Sequence, residues 1–141
     1  MEDHKLIERA AAAAGIKYDA YASKPKEGRQ WWGLWKTFDR EPSEYDKRYW
    51  NPLRDDGDAF RLAVQLGIAV TPYPIYAQPK HSVIAKQYRN SDTMREANPT
   101  EVVEMHGGDA REATRRAIVR CAAALTPNAI VTGARDEAGS E

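Results

Sequence analysis

The chain has 141 residues, 42% of them hydrophobic and 30% charged, with 21 basic side chains balancing 21 acidic ones. That length supports one domain whose core needs no staple, and a net charge of zero lacks the basic excess of a dedicated duplex-DNA binder. The single cysteine, Cys121, excludes an intramolecular disulfide and a multi-cysteine zinc site, while the short apolar runs and the acidic Met-Glu-Asp-His-Lys opening predict an intracellular soluble domain without membrane span or signal peptide.

Residues 3–14 carry Leu6, Ile7, Ala10, Ala11 and Ala14 at three- and four-residue spacing, which predicts a helix with Gly15 as its left-handed stop. Residues 16–23 alternate and predict a strand with one wet face; residues 24–28 hold Pro25 and Gly28 and predict a turn. Residues 30–38 predict a second strand, with Trp31, Gly33 and Trp35 on one side and Trp32 and Leu34 on the other. The charged, aperiodic residues 39–48 read as an exposed loop. Asn51-Pro52 opens a turn, Asp55, Asp56 and Asp58 suit a helix N-terminus, and Ala59, Leu62, Ala63 and Leu66 form that helix's buried stripe before Gly67. Residues 68–77 and 82–89 predict a third and fourth strand, Pro72 and Pro74 placing the third at an edge. Residues 90–108 read as one long loop. Residues 109–125 predict the last helix, opened by an Asp109/Glu112 capping pair, and residues 128–141 read as a disordered tail.

This order predicts an α+β fold: a three-layer α/β/α sandwich of three helices around a four-stranded, largely antiparallel sheet. The domain spans 1–126, with 127–141 as the tail.

The side chains with chemical potential divide into several groups. Asp55, Asp56 and Asp58 resemble part of a calcium loop, but the late glutamate is missing and helix capping accounts for them, so no metal or cofactor is expected. His4, His81 and His106 form no ligand pair or triad, and no catalytic set is legible. His106, beside Gly107-Gly108 ahead of a helix, is placed where an imidazole reaches an anion. Cys121 lies on an apolar helix face and reads as a buried inert thiol. Arg111, Arg115, Arg116 and Arg120 share the half of the last helix opposite its alanines. They form either a solvated, ion-paired face or an anion-binding surface. Four tryptophans, three of them in 31–35, exceed what one core face can use; the surplus stacks a base or meets another copy of the chain.

The run Trp50-Asn51-Pro52-Leu53-Arg54-Asp55-Asp56-Gly57-Asp58 continues through Ile68. With Ala113-Thr114-Arg115-Arg116-Ala117-Ile118-Val119-Arg120 and the opening helix, it resembles the phage ABA-sandwich, NinX-like group of small accessory proteins of tailed bacteriophages. The resemblance covers most of residues 3–125. It implies the same layered sandwich and no reaction or catalytic residue; the 39–48 loop and the 128–141 tail are particular to this sequence.

The functional expectation is therefore a non-enzymatic accessory protein, acting in the cytoplasm of an infected bacterium, that sequesters a small anionic ligand such as a nucleotide signal of host defence. Arg115, Arg116, Arg120 and His106 are the expected anion contacts, Trp50 or Trp35 the stacking surface, and Asn51 the reader of a base edge. A homo-oligomer is expected, built on the tryptophan surface. The alternative is a protein-binding inhibitor of a host enzyme, contacting it through the 39–48 loop, with Tyr45 and Tyr49, and the 90–108 loop.

Overall fold

The computed structural model describes residues 2–73, 82–87 and 100–125. Their order is α1 (Asp3–Ala14), β1 (Leu34–Trp35), β2 (Tyr49–Trp50), α2 (Asp56–Leu66), β3 (Ile68–Tyr73), β4 (Ser82–Gln87), β5 (Thr100–Met105) and α3 (Ala110–Ala124). The fold is mixed α+β, and the strands fall into two antiparallel sheets: a β1–β2 ribbon and a β3–β4–β5 meander. The expected single four-stranded sheet is thus replaced, among the described residues, by two smaller ones.

The helices follow their sequence signals. α1 buries Leu6, Ile7, Ala10, Ala11 and Ala14 and stops at Gly15, whose φ of 72° suits a residue without Cβ. α2 starts at the Asp55 cap, whose side chain accepts from the Asp58 N–H, and stops at Gly67. α3 starts at Asp109, whose carboxylate accepts from the Arg111 and Glu112 N–H groups. That carboxylate occupies the donors a phosphate would use.

α3 is the hub, packing against α1, α2 and all three strands of the meander. A helix touched from several directions needs small side chains, and Ala113, Ala117, Cys121, Ala122 and Ala123 are buried together with Ile118 and Val119. Across the meander, Val70, Ala85 and Val102 are register partners, as are Pro72 and Val83; the central β4 supplies the fully buried Val83 and Ala85. Pro72 sits on the edge strand β3, as its missing N–H requires.

Three expectations are corrected. Residues 16–23 form no strand beyond a bridge between Tyr18 and Lys36. The Asp19 carboxylate accepts from the Ala22 N–H at 3.0 Å and its carbonyl accepts from the Ser23 N–H, so a local turn wins over the sheet. The predicted strand 30–38 is regular only at Leu34–Trp35. Gly33 interrupts it at φ 128°, pressed so close to Trp50 that a Cβ would lie 2.5 Å from the Trp50 carbonyl oxygen. Residues 100–105, expected within a loop, are strand β5: Val102 faces inward and Val103 outward between Glu101 and Glu104. The expectations for 74–81, 88–99 and 126–141 lie outside the described residues.

Candidate functional site

The motif 50–58 is a polar clip between β2 and α2. The Asn51 side chain is buried; its Oδ1 accepts from the Leu53 N–H at 3.1 Å and its Nδ2 donates to the Trp32 carbonyl at 3.3 Å. The Asn51 backbone N–H donates to Asp58 Oδ2 at 2.9 Å. Asp58 is 2% exposed, and its carboxylate also accepts from Lys47 Nζ at 2.7 Å and from Arg61 at 2.9 Å. A carboxylate that buried needs such partners to offset the loss of water. At Asp55, burial opposes the charge, but the Asp58 N–H and the Lys47 ammonium outweigh it and hold the pKa below the usual carboxylate value.

The arginines of α3 extend this clip outward, each to a different element. Arg115 donates from Nε to the Leu53 carbonyl at 2.8 Å and from its guanidinium to Asp56 at 2.6 Å, fixing the turn and the first turn of α2. Arg116 faces Asp3 of α1 at 3.3 Å. Arg120 pairs with Glu104 of β5. Arg111 is exposed, and its guanidinium makes no ion pair among the described residues. The face is therefore ion-paired for the most part, and these pairs join elements rather than neighbours on one helix. The expected Glu112–Arg116 pair is replaced by Asp3–Arg116.

Two concavities flank α3. The first, of about 630 Å³, lies between the start of α1, the 25–31 segment, the 51–54 turn and the first turns of α3. Arg54 and Arg116 supply its cations, Trp31 and His4 an aromatic corner, and Glu2, Asp3 and Glu112 its carboxylates. The rings of His4 and Trp31 meet edge to face at 6.2 Å, and the indole is fixed by its Nε1–H donating to the Ser23 carbonyl at 2.8 Å. Arg54 is exposed and makes no ion pair among the described residues. The second concavity, of about 510 Å³, is an apolar groove between α2, α3 and β3.

The residues anticipated from the sequence do not converge on one place. Arg116 and Asn51 both line the first cavity. Arg115 borders the apolar groove, bound to Asp56, and Arg120 sits by β5. Trp50 is 5% exposed within the core, which removes its face from a ligand, and the Asn51 amide is spent on the backbone. Trp35 is on the β1–β2 ribbon, edge to face with Tyr49 at 5.0 Å and covered by Arg48 at 5.1 Å. His106 is half-buried after β5, its carbonyl accepting from the Asp109 N–H. Burial pushes the Cys121 thiol up to about 11, as an inert core cysteine requires. Sequence reasoning did not single out Arg54 or Trp31 as anion and stacking contacts; Arg54 stands inside the motif as a long cationic side chain with no carboxylate partner among the described residues. The tryptophan surplus also resolves: Trp31 packs against the core, Trp50 lies in it, and Trp32 alone is strongly exposed, at 58%.

Among the described residues no helix is long and apolar enough to cross a membrane, and no group of three His, Cys, Asp or Glu is placed to hold a metal ion. Comparison with protein-family models, curated proteins and solved structures finds no match to the chain.

Proposed function

We propose that the protein binds a small anionic ligand, a nucleotide, in the cavity between α1 and α3 and holds it without turnover. The observation that carries this reading is the wall itself: the guanidinium of Arg54, without an ion pair among the described residues, and a second, Arg116, beside a fixed indole and an imidazole. A volume near 630 Å³ is within the roughly 300–1,000 Å³ of small-molecule sites. Guanidinium groups fork onto phosphate oxygens, and an aromatic face stacks a base. The carboxylates in the same wall suit the N–H donors of a base edge, so a ligand with an anion at one end and donors at the other matches its mixed charge. Asp3 holds Arg116 in the ligand-free protein, and the phosphate takes over that guanidinium on binding.

In this reading the protein is a sponge: a bacteriophage accessory protein of the ABA-sandwich kind, working in the host cytoplasm to withdraw a nucleotide signal of defence, with the layered sandwich and self-association its resemblance and tryptophan count suggested. Calorimetry against a panel of linear, cyclic and ADP-ribose-derived nucleotides tests it. At least one member binds to the wild type and binds Arg54→Ala at least tenfold more weakly, and the recovered ligand is chemically intact. No binding by any member contradicts the reading, and turnover replaces the sponge with an enzyme.

The second reading, an inhibitor that docks on a host protein, is favoured by Tyr45. It is 88% exposed on a loop braced by the Arg40–Asp46 pair at 2.7 Å, with Asp46 also accepting from the Ser43 N–H. The arginine and that N–H hold the Asp46 carboxyl far below its usual range. Retention of one host protein by wild type but not by Tyr45→Ala favours this second reading.

A further inference from the structure

The cavity between α1 and α3 holds two charges of opposite sign that make no ion pair among the described residues. One is Arg54. The other is Glu112, exposed in the first turn of α3 and without a side-chain hydrogen bond among the described residues. A glutamate at this position has two ordinary uses, and other groups have taken both. It would close a capping box by accepting from the Asp109 N–H, but that N–H donates to the His106 carbonyl at 3.2 Å. It would pair with Arg116 one turn later, but Arg116 is held by Asp3 at 3.3 Å. Of the other carboxylates in the wall, Asp3 is thereby engaged, and Glu2 lies 3.7 Å from His4 Nδ1. Three carboxylates and two guanidiniums line the cavity, Glu2, Asp3 and Glu112 against Arg54 and Arg116. A ligand bringing only negative charge would be repelled by that balance, so the occupant must also present hydrogen-bond donors.

Resting on the nucleotide reading of this cavity, we infer that the base it selects is guanine, with Glu112 accepting from the ring N–H and the neighbouring exocyclic amine while the phosphate meets Arg54. An ionised carboxylate is an acceptor only, and its two oxygens call for two adjacent donors. Guanine is the one common base that presents such a pair at neutral pH. Adenine and cytosine set a ring-nitrogen acceptor beside their amine, which turns a lone pair toward the carboxylate. Uracil and thymine flank their ring N–H with carbonyl oxygens, which repel it equally. Both guanine donors gain from the full charge on Glu112. Trp31, packed on the core and held through its indole N–H, offers a rigid ring on which a purine can stack.

The test compares guanosine, inosine, adenosine and xanthosine monophosphates by calorimetry, on the full chain and on Glu112→Gln. Inosine keeps the ring N–H and lacks the amine; xanthosine carries a carbonyl in the amine's place. The wild type should bind the guanosine ligand about tenfold more tightly than the inosine ligand, the worth of one charge-assisted hydrogen bond. The adenosine and xanthosine ligands should bind more weakly still. Glu112→Gln should weaken guanosine binding and strengthen xanthosine binding, because the new amide donates to the xanthine carbonyl. A loss of helix stability alone would not exchange the two preferences. Equal binding of the guanosine and adenosine ligands, both weakened by Arg54→Ala, overturns the guanine assignment and leaves nucleotide binding in this cavity standing. A guanosine preference that survives Glu112→Gln overturns it too. Binding by none of the four defeats the assignment and the nucleotide reading together.

Discussion

The two concavities share a wall, and their chemistry is opposite. Glu112 and Arg116 of α3 face the polar cavity; Arg111, Thr114, Arg115 and Ile118 face the apolar groove. The segment between β2 and α2 contributes to both, Asn51, Leu53 and Arg54 on one side and Asp56 on the other. One helix and one clip therefore separate a cavity lined by charged and aromatic side chains from an apolar groove. The cations differ accordingly: Arg115 is consumed by the scaffold, whereas Arg54 is exposed at the polar cavity with no ion pair among the described residues.

The largest expected effect comes from breaking the shared wall. Asp58→Ala removes the acceptor of the buried Asn51 N–H, while Lys47 and Arg61 can turn to solvent, and should cost about 3 kcal/mol in urea unfolding, the upper end of the penalty for a buried donor left without an acceptor. Both concavities should be lost with it. Arg115→Ala ranks next. The side chain is 16% exposed and makes charged hydrogen bonds to Leu53 and Asp56, so about 2 kcal/mol is expected from chemical unfolding. Nucleotide affinity should change far less, because Arg115 faces away from the polar cavity.

Arg54→Ala reverses that pattern, which is what sharpens the comparison. Its exposed side chain, without an ion pair among the described residues, should leave stability within about 0.5 kcal/mol while weakening nucleotide binding about tenfold, or roughly 1.4 kcal/mol. Asp3→Asn should act in the opposite sense and tighten binding by freeing Arg116. The smallest effect is a pH dependence at the clip. The folded pKa of Asp55 lies below its ordinary value, so its contribution is complete above about pH 4 and is lost as pH falls through the folded value. Asp55→Ala should flatten that part of the acid unfolding curve and cost about 1 kcal/mol at neutral pH, the value of a helix cap.

The helices were legible because their signals are local: an aspartate cap before α2 and α3, a glycine stop after α1 and α2, and apolar side chains at helical spacing. The strands were less so, since pairing depends on distant partners. Residues 16–23 and 30–38 alternate like strands, yet the turn at Asp19 and the backbone at Gly33 cut both segments short. β5 was hidden because Val102 and Val103 are flanked by glutamates; one glutamate meets Lys86 across the sheet and the other Arg120 of α3. For the candidate site, residue type was readable and commitment was not. Nothing in the spacing of Arg115, Arg116 and Arg120 reveals that carboxylates 16 to 113 positions away claim all three.

The proposed nucleotide sits against Trp31, between Arg54 and Arg116. The Trp31 indole N–H, held by the Ser23 carbonyl at 2.8 Å, lies at this corner, and its proton resonance is the reporter of choice once assigned. In a titration with the tightest-binding nucleotide of the panel, that resonance and those of His4 and Arg54 should shift together along one saturating curve, while Val64 and Ile118 in the groove stay still. Saturable shifts confined to the groove, or to Trp32 and Tyr45 on the exposed loops, with the Trp31 indole unmoved, would contradict the claim.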